Sequence, residues 1–132
     1  MKYINEISIS AIITSIIYLL GGWDISLQIL LIVIVLDYIT GILQAIHDRK
    51  LNSIIGLRGI IKKIGYLIVV AIGVIIDRIT GETGAIRTLV IYFFVANEGI
   101  SIIENWGGMG LPLPKKLIKT LEQLKNSNDE EE

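Results

Sequence analysis

From Ile25 to His47 the chain runs for twenty-three residues with one ionised side chain, Asp37, close to the midpoint. At 1.5 Å per residue, a helix over this run is long enough to cross the ~30 Å hydrocarbon core of a bilayer. The segment is therefore predicted as a transmembrane helix with a buried carboxylate. A central Asp costs roughly 2.5 to 3.5 kcal/mol on insertion scales. Such a residue is expected to pack against another helix or to line a water-filled path.

The remaining composition agrees. Hydrophobic residues make up 52% of the 132 residues, and the 19% that are charged fall in clusters between apolar blocks. Those blocks predict spans at about 7–23, 25–47, 62–79 and 86–104. The expected fold is an all-α integral membrane protein of about four short transmembrane helices, with one amphipathic helix at the C-terminal end. Residues 1–106 form the membrane domain and 107–132 a short tail. The fourth block is interrupted by Asn97 and Glu98, which also suits a tilted or re-entrant helix. Lys2 followed by an apolar run resembles a signal peptide, but Trp23-Asp24 offers no small-residue cleavage site and three more apolar blocks follow. The first block is expected to be retained.

Orientation follows from the twelve Lys and Arg residues. Lys2, then Arg49, Lys50, Arg58, Lys62 and Lys63, then Lys115, Lys116, Lys119 and Lys125 occupy the N-terminus, the second connection and the tail, leaving only Arg78 and Arg87 elsewhere. This alternation predicts four crossings of a cytoplasmic membrane with both termini in the cytoplasm.

Every block carries small or polar residues at helical spacing: Ser8, Ala11, Ser15, Tyr18 and Gly22 in the first; Asp37, Thr40, Gly41, Gln44, Ala45 and Asp48 in the second. The third has Tyr66, Gly73, Asp77 and Thr80, and the fourth Asn97, Glu98, Ser101, Glu104 and Asn105. Lipid supplies no hydrophobic drive for helices to associate, so close backbone approach and interhelical hydrogen bonds must do so. Interior packing within one chain is the favoured expectation for these stripes. Contact with other copies, or with water in an oligomer, is the alternative.

Beyond the fourth block, Gly107-Gly108-Met109-Gly110-Leu111-Pro112-Leu113-Pro114 breaks the helix. Over 115–125, Leu117, Ile118, Leu121 and Leu124 share one helical face with Lys115, Lys116 and Lys119 opposite, which predicts an amphipathic helix on the inner leaflet or against the bundle. The acidic end, Asn126 to Glu132, is expected to be a disordered, solvated tail.

Catalytic chemistry has little to build on. Cys is absent and His47 is the only histidine, so thiolate and His-cluster metal sites and thiol nucleophiles are excluded. Thr80-Gly81-Glu82-Thr83-Gly84 lacks the spacing and Lys of a phosphate-binding loop. The basic 49–63 stretch is interleaved with apolar residues between two spans, so its charge is assigned to topology and not to nucleic acid. No catalytic, cofactor-binding or metal residue is expected, and the chain is not read as an enzyme.

Asp37-Tyr38-Ile39-Thr40-Gly41, then Lys50-Leu51-Asn52-Ser53 and Gly56-Leu57-Arg58-Gly59 with Lys62-Lys63, resemble the first signature of the toxin-secretion/phage-lysis holin family. Asn97-Glu98, Ser101-Ile102, Glu104-Asn105 and Gly110-Leu111-Pro112-Leu113-Pro114, followed by Leu117 and Leu121-Glu122, resemble the second. The resemblance covers most of the chain from Asp37 to Leu124. It implies a phage or prophage protein of a Gram-positive host that assembles as a homo-oligomer and opens lesions for an endolysin, or is linked to toxin release. Its partners are then the bilayer and its own copies, with endolysin or toxin as a functional partner that need not touch it. Asp37, Thr40, Gly41, Asn97, Glu98, Ser101, Glu104 and Asn105 become the candidate assembly or pore residues. Asp37 and Glu98 would pass from buried to solvated on opening. The only methionine besides Met1 is Met109, so an inhibitory form from a nearby second Met start is not expected. Two other classes fit an intramembrane carboxylate and polar stripes: a small proton-coupled exporter and a non-lytic membrane scaffold.

Overall fold

The computed structural model describes residues 1–131, and among them every regular element is a helix: α1 (Lys2–Leu19), α2 (Ile25–His47), α3 (Ser53–Thr80), α4 (Ala85–Gly108) and α5 (Lys115–Glu131). The boundaries have local chemical causes. Asp24 caps α2 by accepting the Leu27 N–H at 3.0 Å, and Asn52 caps α3 by accepting that of Ile54 at 2.9 Å. α3 ends where Gly81 takes a left-handed conformation, φ 73°. Gly84 cannot cap α4 with a side chain, and Asp77 of α3 does so instead. Its carboxylate accepts the N–H groups of Ile86 and Arg87 at 3.0 and 2.9 Å. The orphan donors that open α4 are thus satisfied from the neighbouring helix.

α4 lies in the middle of the bundle. It packs most extensively on α2, next on α3 and then on α5, while α2 and α3 meet each other over only a short stretch. Leu27 and Leu30 from α2, Tyr66 and Val70 from α3, and Ile91 and Phe94 from α4 build the core, joined by Leu20. Tyr66 stacks on Phe94 with centroids 4.3 Å apart. Gly73 faces the start of α4, where a Cβ would be in van der Waals contact with the Arg87 backbone at 3.4 Å. Most of the isoleucines on α1, α2 and α3 are exposed, as a lipid-facing surface requires.

Three helices, α2, α3 and α4, are long and apolar enough to cross a membrane. The chain is therefore an all-helical, multi-pass membrane protein, while the expected fourth span, 7–23, does not meet the same measure. Its helix starts early, at Lys2, and Lys2, Asn5 and Glu6 dilute its first turns. None of its residues is buried. α3 begins well before the expected residue 62, and its 28 residues amount to ~42 Å, more than the hydrocarbon core alone demands. Asn97 and Glu98 do not interrupt α4, because both side chains have partners inside the bundle. The expected tail helix 115–125 continues in α5 to Glu131, so the backbone there is helical where a disordered acidic end was anticipated. Of its apolar face, Leu117 and Ile118 are described, whereas the side chains of Leu121 and Leu124 and all of Glu132 lie outside the described residues.

Candidate functional site

Three helices each contribute one charge to a cluster at the centre of the bundle. Lys63 Nζ on α3 lies 2.5 Å from Asp37 Oδ2 on α2 and 2.7 Å from Glu98 Oε2 on α4. Side-chain exposure is 12% for Lys63 and Asp37 and 2% for Glu98. Asp37 and Glu98 share Lys63 as a common partner. With both carboxylates ionised the trio carries one net negative charge, and with one proton between them it is neutral. Charges taken out of water are tolerated when paired and hydrogen-bonded, and this arrangement meets that condition.

Asn105 on α4 extends the network to α2. Its Nδ2 donates to Asp37 Oδ1 at 3.1 Å, to the Asp37 carbonyl at 3.3 Å and to Thr40 Oγ1 at 3.0 Å. Ser101, one turn earlier, borders the same cavity as Asp37. Gly41 faces the same amide: a Cβ there would sit in ordinary van der Waals contact, 3.6 Å from the Asn105 amide nitrogen. Lower on the same interface, a Cβ on Gly108 would collide with the Gln44 amide. The small and polar stripe of α2 therefore meets that of α4 within one chain, which is the interior packing favoured by the sequence.

Six of the eight candidate residues, Asp37, Thr40, Gly41, Glu98, Ser101 and Asn105, converge on this site. Asn97 stands beside it and donates to the Tyr66 hydroxyl at 3.3 Å. Glu104 occupies an exposed position on α4 and takes no part in the ion pairs of Lys63. Sequence reasoning missed Lys63, which was assigned to topology with Lys62. Two carboxylates at membrane depth without a cation between them were the signal that pointed to it.

A second cluster, also unforeseen, closes the opposite end of the α2–α4 pair. Arg87 donates from Nε to the Leu20 carbonyl at 2.6 Å, from NH1 to Asp24 Oδ2 at 2.7 Å, and from NH2 to Asp24 Oδ1 at 3.0 Å and the Gly22 carbonyl at 3.2 Å. The paired contacts to Asp24 use the fork geometry that suits Arg to carboxylates. Gly21 and Gly22 adopt φ 90° and 113° in this turn, and a Cβ on Gly21 would overlap the Arg87 side chain. The Arg87 guanidinium beside Asp24 holds its carboxyl below the usual carboxylate range, outweighing the opposite pull of partial burial. Arg78 adds a contact to α1, donating to the Tyr18 carbonyl at 3.1 Å with its guanidinium 4.3 Å from the Tyr18 ring. Beyond these links the first stripe, Ser8, Ala11, Ser15 and Tyr18, has no buried member.

The arrangement offers helix-to-helix charge coupling in a low-dielectric setting, and no group of His, Cys, Asp and Glu suited to a metal occurs among the described residues. Asp37 is engaged by Lys63 and Asn105, which leaves it poorly placed to receive a cationic substrate.

Comparison with known proteins follows the same line. A family model described as the bacteriophage holin family matches residues 14–126. An uncharacterized 14.9 kDa protein encoded in the nagH 3' region of Clostridium perfringens is 46% identical over 110 residues, 83% of this chain and 83% of that protein. An uncharacterized protein of Listeria innocua is 44% identical over 118 residues, covering 87% and 83% of the two chains. A protein of Bacillus phage phi105 named a probable holin is 30% identical over 104 residues, 79% of this chain and 77% of its own length. No solved structure matches the chain. With its two motif halves gathered around one buried ion cluster and the family match running over nearly all of its length, the chain belongs to the bacteriophage holin family.

Proposed function

We propose that this chain accumulates in the cytoplasmic membrane of a bacterium, associates with its own copies and opens non-selective lesions through which an endolysin or a toxin leaves the cell. Family membership is the observation that carries the reading. The anatomy of the chain supports it. The stripes of α2 and α4 are consumed inside the protomer, whereas that of α1 has no buried residue and remains for other copies. A small-residue face suits helix association in lipid, where packing and hydrogen bonding replace the hydrophobic drive. In the assembled state the polar faces of several copies line water, and the lesion needs no ring of oriented ligands such as an ion-selective filter uses.

In this reading both termini lie in the cytoplasm, in keeping with ten basic residues at the N-terminus, second connection and tail against two elsewhere. α1 then crosses as the fourth span. The Lys63 cluster serves as a latch: it joins α2, α3 and α4 while copies accumulate, and its separation in the lesion exchanges a buried pairing for hydration. Induced expression in a bacterium, with membrane potential followed in time, tests the function. Abrupt, complete depolarisation after a lag is expected, and a steady potential at full membrane abundance would refute it.

A further inference from the structure

α1 stands apart from the other helices. Among the described residues no helix packs along it. Its links to the bundle gather at one end, where Arg78 donates to the Tyr18 carbonyl and Arg87 to those of Leu20 and Gly22. Away from that end the contact fades: Leu20 is 7% exposed, Ile17 half-buried and Ile13 52% exposed. α1 therefore diverges from the bundle like the free arm of an open hinge.

Between the arms lies an apolar cavity of about 500 Å³, walled by Ile13, Ile16 and Ile17 on one side and by Leu27, Leu31 and Leu67 on the other. The two walls match in register. Ile17 and Leu27 each stand five residues from Gly22, and Ile13 and Leu31 each stand nine, so each pair lies at one depth when α1 runs antiparallel to α2. The small and polar stripe is turned elsewhere, with Ser8, Ala11 and Ser15 about half a helical turn away from these isoleucines. The pivot has the backbone for movement. Gly21 and Gly22 both take positive φ, and a Cβ on Gly22 would meet nothing within 4 Å, so packing does not pin that residue. Lipid gives apolar faces little net drive to meet, and closure then rests on the packing of branched side chains. The open and closed positions differ little in free energy, which is the condition for a hinge that populates both.

We propose that α1 is a hinged strap that pivots at Gly21–Gly22 and closes onto α2 and α3, seating Ile13 against Leu31 and Ile17 against Leu27. Closure leaves Ser8, Ala11 and Ser15 on the outside, open to other copies in both positions. The strap rests on the reading of α1 as the fourth span, since only a helix lying beside the bundle in the membrane can close on it.

The test uses the full-length chain in lipid nanodiscs that hold one copy each. The sequence contains no Cys, so a chosen pair is the only source of a disulfide. Oxidation of I13C/L31C should close an intramolecular disulfide at least about tenfold faster than oxidation of S15C/L31C, whose first position points away from the bundle. Spin labels at the exposed positions Ile9 and Val35 should show two separations, the shorter one matching helices packed ~8 to 10 Å apart. The accessibility of the Ile9 label to dissolved oxygen reports separately whether α1 lies in lipid. A lipid-exposed label with a single separation, or equal cross-linking of the two pairs, would overturn the hinge and leave the span in place. A water-exposed label would overturn both.

Discussion

Lys63 on α3 reaches Glu98 on α4 at 2.7 Å, and Glu98 retains only 2% of its side-chain exposure. A carboxylate so fully withdrawn from water depends on its cation, and the same cation serves Asp37. Removing one partner of a buried pair leaves an uncompensated charge, at a cost of about 3 to 5 kcal/mol. K63M is therefore expected to lower the unfolding stability of the detergent-solubilised bundle by that order. Replacing all three charges together, D37L with K63M and E98L, should recover most of the loss, since apolar packing often equals a buried ion network. Thermal denaturation followed by circular dichroism distinguishes the two variants, and equal loss in both would rule out unpaired charge as the cause.

Asp37→Asn is the milder change. An amide keeps hydrogen-bonding capacity toward Lys63 and Asn105 but removes one of two negative charges, leaving Lys63 and Glu98 as a balanced pair. Insertion should proceed normally, while the moment of lysis after induction should shift. Lysis timed as in the wild-type chain, at equal membrane abundance, would limit Asp37 to a structural role.

Much of this site was legible in the sequence, and the reason is the membrane. A carboxylate in a hydrophobic run is costly enough that Asp37 and Glu98 stand out without a structure, and helical spacing carries Thr40, Gly41, Ser101 and Asn105 onto the same faces. Lys63 was hidden because charge clusters at span ends follow topology as a rule. The helix start at Ser53 moved Lys63 inside the bundle. The roles of Arg87 and Asp77 were hidden for another reason: apart from the Asp24 carboxylate, their partners are backbone groups of Leu20, Gly22, Ile86 and Arg87, which no side-chain pattern records. The first block was expected to run to Trp23, whereas α1 stops at Leu19, just before Gly21 and Gly22 take positive φ, a conformation that glycine adopts readily.

Arg87 fixes the α1–α2 turn through its fork, which Lys cannot reproduce. R87K should release the turn selectively: amide hydrogen exchange from Gly21 to Leu27 should accelerate at least about tenfold, the effect of losing ~1.4 kcal/mol of local protection. Amides of α3 and the middle of α4 should be little changed, since Asp77 still caps α4 through backbone N–H groups. Uniform acceleration across all helices would show that Arg87 stabilises the whole bundle and not the turn.

The same turn has a pH dependence of defined sign. Arg87 lowers the Asp24 pKa in the folded chain from its model-compound value of 3.8, so the contact stabilises the turn at pH above that value and is lost as pH falls through the lowered folded pKa. Protection of the Leu27 amide should persist through pH 4 to 5 and fail only in stronger acid. In D24N that acid-dependent step should vanish. Loss of protection already between pH 6 and 5 would assign the transition to another group.

The last prediction concerns lesion size. The helices carry scattered Ser, Thr, Asn and carboxylates with no repeated filter-like segment, and most of the exposed large hydrophobic residues are isoleucines suited to lipid. A pore selective for small ions needs a narrow ring of fixed ligands. A broad lesion needs only many copies, each with one face tolerant of water and one of lipid, held by contacts weak enough to rearrange. Co-expression with an endolysin that lacks a signal sequence should therefore lyse the host abruptly, and neither protein alone should digest the wall rapidly. A cytoplasmic β-galactosidase reporter in the same cells should leave with the endolysin if the opening passes large folded proteins. Depolarised cells that retain both enzymes would exclude the broad lesion and leave a small-pore function in its place.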